Sequence, residues 1–217
     1  PRVREHGGFV DKYVGDAVMA LFPSGPTQAL EASLAIFDEA REFNRGQQLG
    51  MPKVELGIGI HDGTTLLGTV GEESRMDATV ISDAVNLAAR IEGLTHKLGA
   101  RLLVTEDVLA SVDDPGRYKA RSLGAVRVKG RIGAVPLVEI CAADEPALAE
   151  AKVATASTFA AGVAAYQRGD LAAARRAFEA VLHRNPEDTV ARYLEGECRR
   201  HEVSPAAWDG ILEFREK

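Results

Sequence analysis

The chain has 217 residues, 46% hydrophobic and 27% charged, with a formal net charge of −6. That balance fits a soluble, globular chain long enough for one full domain and a smaller second one, and it argues against a nucleic-acid surface. No run approaches the roughly 18 apolar residues that span a bilayer. Only Cys141 and Cys198 occur, without metal-ligand spacing, so a reducing, cytoplasmic setting is expected and a disulfide framework is not.

The first residue is Pro1, and the chain runs almost at once into strand-like sequence, as a piece of a longer protein would. "FVDKYVGDAVMALF", residues 9–22, predicts two strands folded around Gly15-Asp16, a good two-residue turn. "TQALEASLAIFDEAREFNRGQQLG" places Leu30, Leu34 and Phe37 at helical spacing, ended by Gly50 and Pro52. "KVELGIGIHDGTTLLGTVG" alternates and breaks at Asp62-Gly63, which predicts a second hairpin, with the polar "EESRMDA" as a loop or protruding arm. "SDAVNLAARIEGLTHKLG" predicts a helix capped by Ser82, buried along Val85, Ala88, Ile91 and Leu94, and stopped at Gly99. A strand "RLLVT", a short helix "EDVLASV" and a final strand pair in "AVRVKGRIGAVPLVEICA" complete an α+β sheet covered by helices.

From about Ala142 the composition shifts to Ala, Glu and Pro, so residues 142–157 read as a linker or bridging helix. Beyond it, Gly162, Tyr166, Gly169, Ala174, Phe178, Leu182 and Pro186 resemble one tetratricopeptide repeat, whose small residues let two helices approach closely. One repeat cannot bury its faces alone, so "DTVARYLEGECRR" and "AAWDGILEFREK" are the expected helical partners. Residues 158–217 are therefore expected to be a small all-α appendage packed within the chain, ahead of a free groove for a protein partner.

Three stretches, "GGFVDKYVGDAVMALF", "GIGIHDGTTLLGTVG" and "MDATVISDAVNLAARIEGL", occur in an order and spacing that closely resemble a class III nucleotidyl cyclase domain over residues 1–141. The tail resembles the repeat-plus-"WDG" ending found after some bacterial adenylate cyclases of that class. The resemblance implies an antiparallel-rich sheet covered by helices and lacking its first strand and helices. It also implies formation of cyclic AMP and pyrophosphate from ATP, at the interface of a head-to-tail homodimer, with two Mg²⁺ or Mn²⁺ ions.

Asp16 matches one of the family's two metal aspartates. The other falls upstream of Pro1, so activity is expected to need a longer parent. Lys12 and Thr79 match the positions that read the purine. A lysine can donate to adenine N1, where guanine carries a proton, and guanylate-selective relatives have glutamate there. Thr79 stands where many adenylate cyclases carry aspartate, as in the subgroup allied to bicarbonate-responsive enzymes. Asn86 and Arg90, four apart and so on one helix face, match the residues that orient the ribose and stabilise charge on the α-phosphate. Lys129 matches a lysine on the terminal phosphates, and Arg131 is a possible assistant. His61, with no partner evident in sequence, reads as a packing or hydrogen-bonding residue. The different-class alternative is a non-catalytic, cyclase-like dimerisation module whose helical repeat binds a partner.

Overall fold

The computed structural model of the chain describes residues 1–46, 50–72, 75–128, 133–203 and 208–214. A single turn, α1 (Arg2–Glu5), leads into the hairpin of β1 (Phe9–Val14) and β2 (Ala17–Leu21). Gly15 takes a positive φ of 62° between the paired residues Val14 and Ala17, as the Gly-Asp turn predicts. The register slips once: Val10 faces Ala20 but Lys12 faces Met19, which makes Asp11 a bulge. Helix α2 (Pro26–Gly46) buries Leu30 and Phe37, with Leu34 packed beside them.

The expected hairpin at Asp62-Gly63 is not formed. β3 (Ile58–Ile60) joins the main sheet, while β4 (Leu66–Glu72) pairs with β5 (Arg75–Ile81), so Arg75–Ala78, expected as a loop, lie in a strand. Both flanking segments form strands, but the chain between them is held elsewhere. Ser82 Oγ donates to the Thr64 carbonyl (2.7 Å) and accepts from Ala84 N (3.0 Å), which ties that loop to the start of α3 (Asp83–Leu98). The predicted caps of α3 hold, with Ser82 at its start and Gly99 in the left-handed region at its end.

After α3 come β6 (Leu102–Thr105), α4 (Glu106–Ala110), β7 (Ala120–Val128) and β8 (Val135–Ile140), then α5 (Pro146–Ala154), α6 (Ala156–Gln167), α7 (Leu171–Arg184) and α8 (Thr189–Val203). "AAWDGILEFREK" does not add a helix among its described residues: Leu212–Phe214 form β9, with Leu212 and Phe214 buried and Glu213 exposed. That two-residue alternation is a strand's. The main sheet has the order β3-β6-β8-β7-β9, in which β3 and β9 run parallel to their neighbours and the other pairs are antiparallel.

Both faces of this sheet are covered. Leu103 and Leu137 share one cluster with Leu87, Ile91, Leu94 and Leu98 of α3 and with Phe159, Phe178, Val190 and Leu194 of α6–α8. Leu102, Val104, Val138 and Ile140 pack with Leu30 and Phe37 on the other side. A buried charge network crosses from the sheet into the C-terminal helices. Arg121 on β7 forks onto Asp188 (2.6 and 2.7 Å), donates from Nε to Glu139 on β8 (2.6 Å), and lies 3.9 Å above the Phe159 ring. Lys152 on α5 donates to Glu139 (2.6 Å) and Asp144 (2.7 Å) with its side chain fully buried. Asp188 also caps α8 by accepting from Ala191 N at 3.0 Å.

Candidate active site

The β1–β2 ribbon carries Lys12 near its middle and Asp16 at its tip. Asp16 is exposed, and among the described residues its carboxylate makes no hydrogen bond or ion pair. A hard oxygen donor held so by backbone on both sides suits Mg²⁺ or Mn²⁺. Lys12 is different. Neighbours on a regular strand point to opposite faces, yet Lys12 Nζ lies 3.3 Å from Oδ2 of Asp11, an atom that is buried and makes no hydrogen bond. The bulge brings the two side chains to one side. Nothing in the residue string sets Asp11 apart from an ordinary strand aspartate; the register slip does.

Helix α3 holds the second group. Its core side inserts Leu87, Ile91, Leu94 and Leu98, so Asn86 is left exposed and Arg90 half-buried on another side. Among the described residues, neither side chain makes a hydrogen bond or ion pair. Of the residues expected to bury, Ile91 and Leu94 do so fully, while Val85 and Ala88 are only half-buried. Thr79 lies in β5 opposite Gly68 of β4. Lys129 and Arg131 fall outside the described residues. His61 Nδ1 sits within hydrogen-bond distance of Thr105 Oγ1, at 3.1 Å. The chain therefore collects Lys12 and Asp16 on one ribbon and Asn86 and Arg90 on one helical turn, with Thr79 on a separate two-stranded sheet.

Among the described residues, ligand atoms from Glu139, Cys141 and Asp144 also lie within 4.8 Å of one another. They are not suited to a metal, because the Lys152 ammonium already stands against both carboxylates. Burial works to lower the Lys152 pKa, but the carboxylates prevail and push it up to about 12. Burial pushes the Cys141 thiol well above its ordinary range. Where the helices of the tail meet the sheet, α6 lies on β7, and Phe159, Val163 and Phe178 belong to the sheet's own core. Among the described residues no helix is long and apolar enough to cross a membrane.

The sequence model of the adenylate and guanylate cyclase catalytic domain matches residues 12–140. An adenylate cyclase from Anabaena cylindrica is 45% identical over 146 residues, covering 64% of this chain and 29% of that protein. A terminal-differentiation-specific adenylate cyclase from Dictyostelium discoideum is 38% identical over 148 residues, covering 64% of this chain and 7% of the other. Among solved structures, a bacterial light-regulated adenylyl cyclase superposes with a TM-score of 0.59 at 30% identity, over 67% of this chain and 42% of that one. The guanylyl cyclase Cya2 superposes with a TM-score of 0.55 at 26% identity, over 67% and 75% of the two chains. The chain thus spans under a third of these two curated relatives.

Proposed function

The chain belongs to the class III adenylate and guanylate cyclase catalytic family, and from that premise we propose that it supplies an adenylate cyclase active site acting as a head-to-tail homodimer. The observation that carries the choice of ATP is Lys12, a cation where a guanine reader needs an acceptor. The ribose 3′ oxygen attacks the α-phosphorus; the 3′ O–P bond forms as the P–O bond to the β-phosphate breaks. Pyrophosphate leaves with the electron pair, and the 3′ proton is released.

In this reading Lys12 donates to adenine N1, with Asp11 at 3.3 Å steadying its ammonium, and the Thr79 hydroxyl accepts from the adenine amino group. Asn86 orients the ribose. Arg90, whose guanidinium has no partner among the described residues, stabilises charge growing on the α-phosphate oxygens. Lys129 meets the terminal phosphates. Asp16 would hold Mg²⁺ or Mn²⁺, which when bound neutralises phosphate charge. A two-fold dimer makes two equivalent sites, each taking Asp16 from one protomer and Lys12, Thr79, Asn86 and Arg90 from the other. Thr79 fits the bicarbonate-responsive subgroup. We place the cyclase domain at 1–141, the connection at 142–157 and the helical tail at 158–217.

The test is cyclic nucleotide formation from ATP and GTP with Mg²⁺ or Mn²⁺, comparing residues 1–217 with a parent extended upstream. Cyclic AMP from the extended chain, abolished by Asp16→Ala or by chelation, is the expected result. No product from either chain, with dimers present, overturns the reading in favour of a non-catalytic module. A hydrogen bond to a charged group is worth about 1.5–3 kcal/mol. Lys12→Glu is therefore expected to shift the ATP-to-GTP ratio of kcat/KM about 10- to 100-fold toward GTP; steady-state kinetics on both nucleotides reads it, and an unchanged ratio removes the role of Lys12.

A further inference from the structure

The stretch "GIGIHDG", residues 57–63, takes no part in the chemistry above, yet its three glycines all abut one helix. Alternation along β3 sends Ile58 and Ile60 toward the core shared with α2, and Gly59 to the α3 side of the sheet. A Cβ built at Gly59 would stand 2.3 Å from the Glu92 amide nitrogen and 2.6 Å from the Ala88 carbonyl oxygen. Both atoms belong to the backbone of α3, so no side chain can move aside. A Cβ at Gly57 would meet Thr95 Oγ1 at 2.0 Å, and one at Gly63 would meet the Ala84 methyl at 2.8 Å. The contacts follow α3 through Ala84, Ala88, Glu92 and Thr95, at the spacing of one helical face. At about 100° per residue, that face lies roughly opposite Asn86 and Arg90. Leu87, Ile91, Leu94 and Leu98 enter the core from the flank between the two.

We infer that Gly57, Gly59 and Gly63 form a seat that fixes the height of α3 and so places Asn86 and Arg90 at the nucleotide. Carbon atoms pack at about 3.5–4 Å, so a side chain at residue 59 has to lift the helix by roughly 1 Å. Because the seat stands behind Asn86 and Arg90, the lift carries both of them forward. A misplacement of about 1 Å can cost on the order of 100-fold in rate. Gly59 is thereby a positioning residue: it touches the turn from Ala88 to Glu92 that carries Arg90, and acts through it. Its contribution to turnover rests on the function proposed above, whereas the close packing of these glycines on α3 does not.

The experiment uses the upstream-extended parent. Gly59→Ala is expected to lower kcat for cyclic AMP formation about 10- to 100-fold, with KM for ATP changed less than about threefold. In a parent already carrying Arg90→Ala the same substitution is expected to cost under about threefold more, since residues acting as a unit are non-additive. A rate loss of equal size in both backgrounds overturns the link to Arg90. Gly63→Ala combined with Ala84→Gly moves one methyl across the gap, and this pair decides the seat even where Gly59→Ala does not fold. Gly63→Ala is expected to lower both the melting temperature and kcat, and to do so much less in a chain carrying Ala84→Gly. A loss of melting temperature that is the same with and without Ala84→Gly, or no loss at all, overturns the seat. Recovery of the melting temperature without recovery of kcat overturns its role in placing Asn86 and Arg90. A parent that makes no cyclic AMP sinks the cyclase reading and that role together, while the melting temperatures still decide the seat.

Discussion

Arg90→Ala is expected to lower kcat for cyclic AMP formation in the extended dimer by about 10²- to 10³-fold, the usual cost of removing one donor aimed at a developing oxyanion, with KM for ATP little altered. The split follows from where the charge appears. An interaction stronger in the transition state than in the ground state lowers kcat and kcat/KM together when it is lost. The helix itself should not suffer. Arg90 is half-buried, makes no hydrogen bond or ion pair among the described residues, and lies off the side that inserts Ile91 and Leu94 into the core. The melting temperature should therefore match that of the unaltered chain, and Arg90→Lys should recover only part of the rate because an ammonium lacks the forked donors. A KM rise with kcat intact would assign Arg90 to ground-state binding.

Arg121→Ala has the largest expected effect on folding, a loss of roughly 3–5 kcal/mol, because it leaves buried Asp188 without its paired cation and Glu139 with Lys152 alone. The Arg121 side chain is 4% exposed, and those of Glu139 and Asp188 are 1% and 0%. The pH dependence identifies the cause. In the intact protein burial works to raise the Asp188 pKa, but the Arg121 fork outweighs it and holds the carboxyl below its ordinary 3.8. A depressed pKa gives stability that is present above about pH 3.8 and lost as the pH falls through the lower folded value. Without Arg121 only the burial effect and weaker partners remain, so the Asp188 pKa rises and the variant recovers stability on acidification. The gap between the two proteins is then widest near neutrality and narrows toward pH 4, as urea melts at several pH values would record. A gap independent of pH would point to lost packing on Phe159, 3.9 Å beneath the guanidinium, as the dominant cause.

Local signals in the sequence were legible where a short motif decides the geometry. Gly15 and Asp16 announce their turn, and Ser82 and Gly99 announce both ends of α3. The same stripe of Ile91 and Leu94 that defines the core leaves Asn86 and Arg90 available together. Pairing between distant strands was not legible. Residues 58–60 and 66–72 both alternate, and nothing in that pattern says that the first pairs with β6, some forty residues on, and the second with β5. The bulge at Asp11 was not legible for the same reason, since a register slip is a property of two strands. "AWDGILEF" has no turn or period strong enough to separate a short strand from a frayed helix, and β7 decides the matter through pairing. Lys152 reads as an ordinary helix lysine until Glu139 and Asp144 are seen to enclose it.

The match to the catalytic family ends at residue 140, one residue beyond Glu139, whose carboxylate bridges Arg121 and Lys152. Ancestral recombination that cut where recognisable similarity stops would have separated these partners and uncovered the apolar side of β7. A chain cut near Ile140 is therefore expected to be less stable than one that keeps the residues through Phe214.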